Sequence, residues 1–211
     1  YYEDLPSDVT TVIDTNRAWT GRLPALVDLF PEARMVCCVR NVAWIMDSLE
    51  RRVRENAFEH TRLFNTPGER NSVYSRVDTL AQRDRLVGAA WSNLKEAMYS
   101  EHADRLLVVE YDYLVQRPKK VLELIYQFLG EPAFPHDFDN VAYDAPAFDA
   151  QLGVAGLHSV RPRVEPEPRR TILPPDLFEK YAHESFWRDA PGSTASVIAP
   201  ADAGADQGGR A

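Results

Sequence analysis

The chain has 211 residues, 45% of them hydrophobic, and a formal net charge of -8 at pH 7. That length and apolar fraction suit one α/β domain with a real core. The acidic balance argues against broad binding to nucleic acid or anionic membrane, which needs a basic surface, but a few arginines can still build a small anion site. No apolar run approaches the about 20 residues of a membrane span, and no stretch reads as a signal peptide.

The sequence opens "YYEDLPSDVTTVID", without a methionine, and reads as the middle of a domain whose beginning lies elsewhere. Thr10 to Asp14, "TTVID", is short and β-branched and predicts a buried strand. "TGRLPALVDLF" then places Leu23, Leu26, Val27 and Phe30 on one helical face. "ARMVCCV" predicts the second strand. Its cysteines, Cys37 and Cys38, are the only two in the chain and read as reduced core residues rather than a metal or redox pair. "VAWIMDSLERRVREN" predicts a helix that becomes more charged towards its end, and "NTPGERNS" a loop. A long helix is expected from about Val77 to His102, apolar at Leu80, Leu86, Ala90, Leu94 and Met98.

"RLLVVEY" predicts a third strand, followed by a turn of helix and a helix from Pro118 that stops at Gly130, with Pro132 beyond. Residues 134 to 175 carry many Pro and Asp and read as irregular. "PPDLFEKYAHESFW" predicts a closing helix. From Ala190 the composition turns to Ala, Gly, Ser and Pro, so residues 190–211 are expected to be a disordered tail after a domain spanning 1–189. Trp19, Trp44, Trp91 and Trp187 read as core residues, with Trp19 alternatively lining a substrate pocket.

Strands alternating with helices imply a parallel sheet with helices on both faces, and ligands in such sheets bind beyond the carboxyl ends of the strands. Asp14, Arg40 and Tyr111 fall at or just after those ends. Arg40 leaves an apolar strand where a helix begins, so its guanidinium points into the crevice beside helix N-terminal amides that favour anions. The competing reading is a structural arginine paired with a carboxylate such as Asp47. Ser48 alone is an ordinary mid-helix serine. With Arg40, seven residues intervening, it places two donors within reach of one phosphate.

"VIDTNRAW…LPALVDLFPEARMVCCVRNVAWIMDSLER…LLVVEYDYLVQRPKKVLELIYQFLGEP" resembles the PAPS-dependent sulfotransferases, well over about Val9 to Gly130 and more loosely in "GLHSVRPRV" and "LPPDLFEKY…FW". The resemblance implies an α/β fold of P-loop NTPase-like type, a three-layer parallel sheet, here a partial domain. It implies transfer of a sulfuryl group from 3′-phosphoadenosine 5′-phosphosulfate (PAPS) to an acceptor hydroxyl or amine of a small molecule, glycan or lipid. It implies a cytoplasmic location and no metal, with Arg40 and Ser48 matching the family's 3′-phosphate pair. The family's phosphosulfate loop has no counterpart in residues 1–211 and is expected upstream. Where relatives carry a lysine after the acidic residue, this chain has Thr15.

Asp14 is then the candidate general base, against a strand-end carboxylate that caps the next turn. Arg17 is the candidate to replace the missing lysine's charge, against a surface ion pair. "GLHSVRPRV" corresponds to a late basic loop over the 3′-phosphate. It offers Arg161 first, with His158 and Arg163 beside it and Arg169 and Arg170 shortly after. The alternative for that cluster is a solvated patch offsetting Glu165 and Glu167. Tyr111 and Tyr113 are expected to pack beneath the site, and residues 58–76 and 134–160 to form the acceptor loops. A non-catalytic binding fragment and a P-loop nucleotide kinase are the rival functions; the kinase would need a Mg²⁺-binding Asp and Ser/Thr.

Overall fold

A computed structural model describes residues 9–56, 62–152 and 155–200. In chain order it contains α1 (Leu23–Leu29), β1 (Met35–Val39), α2 (Val42–Glu55), α3 (Pro67–Arg70), α4 (Val73–Leu80), α5 (Leu86–Met98), β2 (Leu106–Glu110), α6 (Tyr111–Gln116), α7 (Pro118–Leu129), α8 (Pro146–Leu152), α9 (Pro175–Ala182) and β3 (Ser196–Ile198). Short 3₁₀ segments cover Arg17–Arg22, Ala103–Arg105 and Phe186–Arg188. The protein is mixed α/β, with a small parallel sheet in the order β1-β2-β3.

β2 is the centre of the sheet because its five residues, LLVVE, are all buried. Four are aliphatic, and full burial of each such side chain stabilises by about 1.5–3 kcal/mol. Alternation along the strand divides them between two cores. Leu106 and Val108 join Met35, Val39 and the α5 residues Leu94, Ala97 and Met98 on one face. Leu107 and Val109 meet Val121 of α7 and Ile198 of β3 on the other.

The strands at 35–39 and 106–110 and the helix at 42–55 lie where the apolar patterns put them. So does α7, which starts with Pro118 and stops at Gly130, whose φ of 76° is the left-handed conformation a glycine takes without strain. Other expectations are corrected. Thr10 to Asp14 is not a strand: it carries no ladder bonds and is exposed, Ile13 at 82%. A buried strand needs a neighbour to pair with, and among the described residues none lies against it. Cys38, expected in the core, is exposed, because α7 covers β2 and β3 but not that part of β1. Both thiols are free, and burial together with the adjacent Cys38 pushes the Cys37 thiol up to about 12.

The single helix expected from Val77 to His102 is two, α4 and α5, broken at residues 81–85. The break is tied to Gly88. A Cβ there would stand 2.1 Å from the Gln82 carbonyl oxygen and 2.3 Å from that of Ala81, so only glycine lets the turn fold this close to α5. The expected tail is also structured in part: Ser196–Ile198 pairs in parallel with Leu107–Val109, and Ser193 Oγ donates to the Met98 carbonyl. Residues 201–211 lie outside the described residues, as do 58–61 of the expected loop at 58–76.

A second core joins α2, α4 and α9, with Met46, Leu49, Phe64, Val77, Leu80 and Leu177 buried together. Asn41 caps α2 by accepting from the Trp44 amide, and Arg52 and Arg54 in the last turn complement the helix dipole. Glu50, on the buried side of α2, is 2% exposed. Arg76 of α4 donates to both its oxygens, at 2.6 and 2.8 Å, and Arg54 adds a bond of 2.7 Å. Burial alone would raise the Glu50 carboxyl, but these hydrogen bonds outweigh it and hold the group below its ordinary value. Arg76→Ala leaves this buried carboxylate half-paired and is expected to cost about 3 kcal/mol, measured by urea unfolding. A loss under 1 kcal/mol would show that Arg54 alone suffices.

Candidate functional site

The register of the two long strands builds the site. Val39 pairs with Glu110, so Arg40 and Tyr111 leave adjacent strands side by side at their carboxyl ends. A cavity of about 250 Å³ opens there, walled by Arg40, Asn41, Glu110, Tyr111 and Asp112 on the sheet side and by residues following α9 on the other. It lies beside Asn41, the cap at the N-terminus of the 14-residue α2, where the positive end of the helix dipole favours an anion.

Arg40 stacks over the Tyr111 ring, 4.4 Å from its centroid. Its Nε is buried and makes no hydrogen bond, and the carboxylate oxygen Asp112 Oδ1 is 4.0 Å away. That is beyond hydrogen-bond length. Arg40 does not pair with Asp47, which is fully buried and otherwise occupied. Asp47 accepts from the Ile172 amide at 2.7 Å, Thr171 Oγ1 at 3.0 Å and Arg51 Nε at 2.9 Å. Burial would raise its carboxyl, but the Arg51, Ile172 and Thr171 hydrogen bonds hold it below the ordinary value.

Asp47 also fixes a second cation. Arg169 Nη2 lies 3.4 Å from Asp47 Oδ2 and donates to the Trp44 carbonyl at 3.0 Å, while its guanidinium stacks 4.8 Å from the Trp44 ring centroid. Burial, then the nearby Arg40 cation, lowers its pKa, and its Nε too is buried without a hydrogen bond. Arginine stays charged under any such shift. Arg40 and Arg169 are therefore two neighbouring guanidiniums, each with a donor unspent.

The remaining expected site residues are dispersed. Ser48 is half-buried in the second turn of α2. Arg161 pairs with Glu167 at 2.8 Å and Arg163 lies 3.7 Å from Asp139; all four side chains are well exposed, the solvated reading of that loop. His158 is bound through Nδ1 to the buried Asp149, beside a cavity of about 520 Å³ lined by Asp144, Asp149, Gly156 and Ser159. No arginine is among the described residues that line that larger cavity, so the smaller one is the better anion site. Asp14 is exposed and accepts from Trp19 Nε1 at 3.0 Å; Arg17 begins the 3₁₀ segment and is exposed. Neither lines the cavity at the strand ends.

Arg169, one of the basic residues that follow the loop at 157–164 in sequence, reaches α2 from far along the chain and lies near Arg40, though it does not line the cavity. One part of the cavity was not legible. The far wall, Ala182 to Arg188, is attached by Asn41 Nδ2 donating to the Ala182 carbonyl at 2.6 Å. Glu110 attaches it a second time: Arg188 donates to both its oxygens at 2.6 Å, and Trp187 Nε1 donates at 2.8 Å. Glu110 is buried, which would raise its carboxyl, yet the Arg188 and Trp187 bonds keep it below its ordinary value.

A guanidinium and a helix N-terminus at the carboxyl edge of a parallel sheet form an anion-binding architecture. A model of the sulfotransferase family matches residues 1–136, and the chain belongs to that family, whose chemistry is sulfuryl transfer. No curated protein and no solved structure matches the chain. Among the described residues no helix is long and apolar enough to cross a membrane.

The Glu110 clamp has a signed pH dependence. Because its folded pKa is depressed, its stabilisation is complete above the ordinary carboxylate value of 4.5 and is lost as pH falls through the lower folded value. The stability gap between the native protein and Glu110→Gln should therefore be widest at neutral pH and close in acid. A gap that widens on acidification would contradict an ionised Glu110.

Proposed function

We propose that the protein binds PAPS through its 3′-phosphate at Arg40, with Ser48 and Arg169 as further donors, and transfers the sulfuryl group to an acceptor hydroxyl or amine. The observation that carries the reading is the buried, unspent Nε of Arg40 at the end of β1, in a chain of the sulfotransferase family. A phosphate dianion between two guanidiniums and a helix N-terminus satisfies donors that the fold otherwise leaves without acceptors.

The donor set fits the ligand's chemistry. Guanidiniums match phosphate oxygens bidentately, and the Tyr111 and Trp44 rings keep Arg40 and Arg169 in place by stacking. Preorganised cations of this kind act by positioning and by stabilising negative charge, which is what transfer of a sulfuryl group between oxygens requires. The three-layer, P-loop-like architecture belongs to the same proposal, supported by helices on both faces of the parallel sheet. Arg161 and Arg163 take no part in donor binding in this reading, and Arg169 takes the role of the late basic residue. Asp14 and Arg17 belong to the acceptor side, Asp14 as base and Arg17 as a cation near the departing group. The acceptor is a small molecule in the sense general to the family.

Titration calorimetry with adenosine 3′,5′-bisphosphate tests the donor site. Arg40→Ala is expected to weaken binding by about 1.5–3 kcal/mol, the scale of a hydrogen bond to a charged group. Adenosine 5′-monophosphate, which lacks the 3′-phosphate, should bind equally to both proteins. Unchanged bisphosphate affinity in Arg40→Ala would sink the assignment. Arg169→Ala should weaken the bisphosphate by a smaller amount, about 1 kcal/mol, since its guanidinium is already shared with Asp47. Arg161→Ala should leave it unaltered.

A further inference from the structure

We propose that Asp112 makes the site selective for a phosphate with a hydroxyl on the neighbouring carbon, as in a ribose 3′-phosphate with its free 2′-hydroxyl. The proposal rests on the reading of Arg40 as a phosphate ligand. Its ground is the juxtaposition of a cation and a carboxylate at one rim. Asp112 Oδ1 stands 4.0 Å from Arg40 Nε, too far to hydrogen-bond, and both line the cavity at the strand ends. Arg40 is three-quarters buried, whereas the Asp112 side chain is 48% exposed and presents its carboxylate to whatever enters.

A plain anion on Arg40 meets that carboxylate at close range, and two like charges so placed repel even in water. The other carboxylate at this wall, Glu110, adds no such repulsion of its own, because Arg188 covers both its oxygens. Asp112 has no equivalent cover. A hydroxyl beside the phosphate removes the conflict: phosphate oxygens accept from Arg40 while the hydroxyl donates to Asp112. The pair then reads donor and acceptor on adjacent carbons, and a ligand lacking the hydroxyl leaves the carboxylate facing a phosphate. Sites that hydrogen-bond a substrate hydroxyl reject the analogue without it far better than apolar pockets reject a change in size.

Asp112 also lies in the first turn of α6, where an acid complements the helix dipole. That role affects adenosine 3′,5′-bisphosphate and its 2′-deoxy analogue alike, so comparing the two ligands isolates the proposal. The native protein is expected to bind the ribose form roughly tenfold more tightly than the deoxy form, the partly exposed carboxylate giving less than a buried one would. Asp112→Ala should bring the two affinities together, chiefly by improving the deoxy ligand. Asp112→Asn, which keeps an acceptor and loses the charge, should retain part of the preference. Equal affinities in the native protein, or a preference unaltered in Asp112→Ala, overturn the proposal. If Arg40→Ala still weakens both ligands in that case, the phosphate reading survives alone; if neither ligand binds the native protein, both fall.

Discussion

The register between β1 and β2 is the constraint on which the site depends. Parallel pairing sets Val39 against Glu110, so the residues that follow, Arg40 and Tyr111, emerge next to each other at one edge of the sheet. A slip of one residue would turn the shifted strand's side chains to the other face and move the cation away from the ring that supports it. The slip is opposed by apolar cores on both faces, Leu106 and Val108 on one and Leu107 and Val109 on the other. The arginine at the strand end is thus aimed by residues that do not line the cavity.

Around that edge the protein separates charges by what answers them. Asp47, Glu50 and Glu110 are buried carboxylates, and each accepts from at least one arginine and from one further donor, whether a second guanidinium, a backbone amide or an indole. They connect α2 to the segment around Thr171, α2 to α4, and β2 to the residues before β3. Arg40 and Arg169 are the converse, cations whose Nε atoms stay buried without an acceptor. Carboxylates consumed and cationic donors left over is a pattern that simple net charge conceals.

Much of this was legible wherever the cause was local. MVCCV and LLVVE announce strands by composition, Pro118 and Gly130 mark a helix start and a helix stop, and Arg40 stands out against an apolar run. What escaped depended on distant partners. "TTVID" has strand composition, but pairing is a property of two segments. The break between α4 and α5 follows from carbonyls that approach Gly88. β3 exists because β2 offers it an edge, which no Ala- and Pro-rich composition reveals. Arg169 is held beside α2 by Asp47 and Trp44, partners far off in sequence, while Arg161 and Arg163 found carboxylates nearby.

The cavity at the strand ends draws on Arg40, Asp112 and the wall from Ala182 to Arg188. Bringing together parts so far apart in sequence closes long loops, which costs entropy before any contact repays it. Chains caught short of that step can hold most of their secondary structure and still lack the site. A ligand that binds only the finished arrangement draws such chains forward by mass action. Occupancy of the anion site would thus measure how completely the chain has folded.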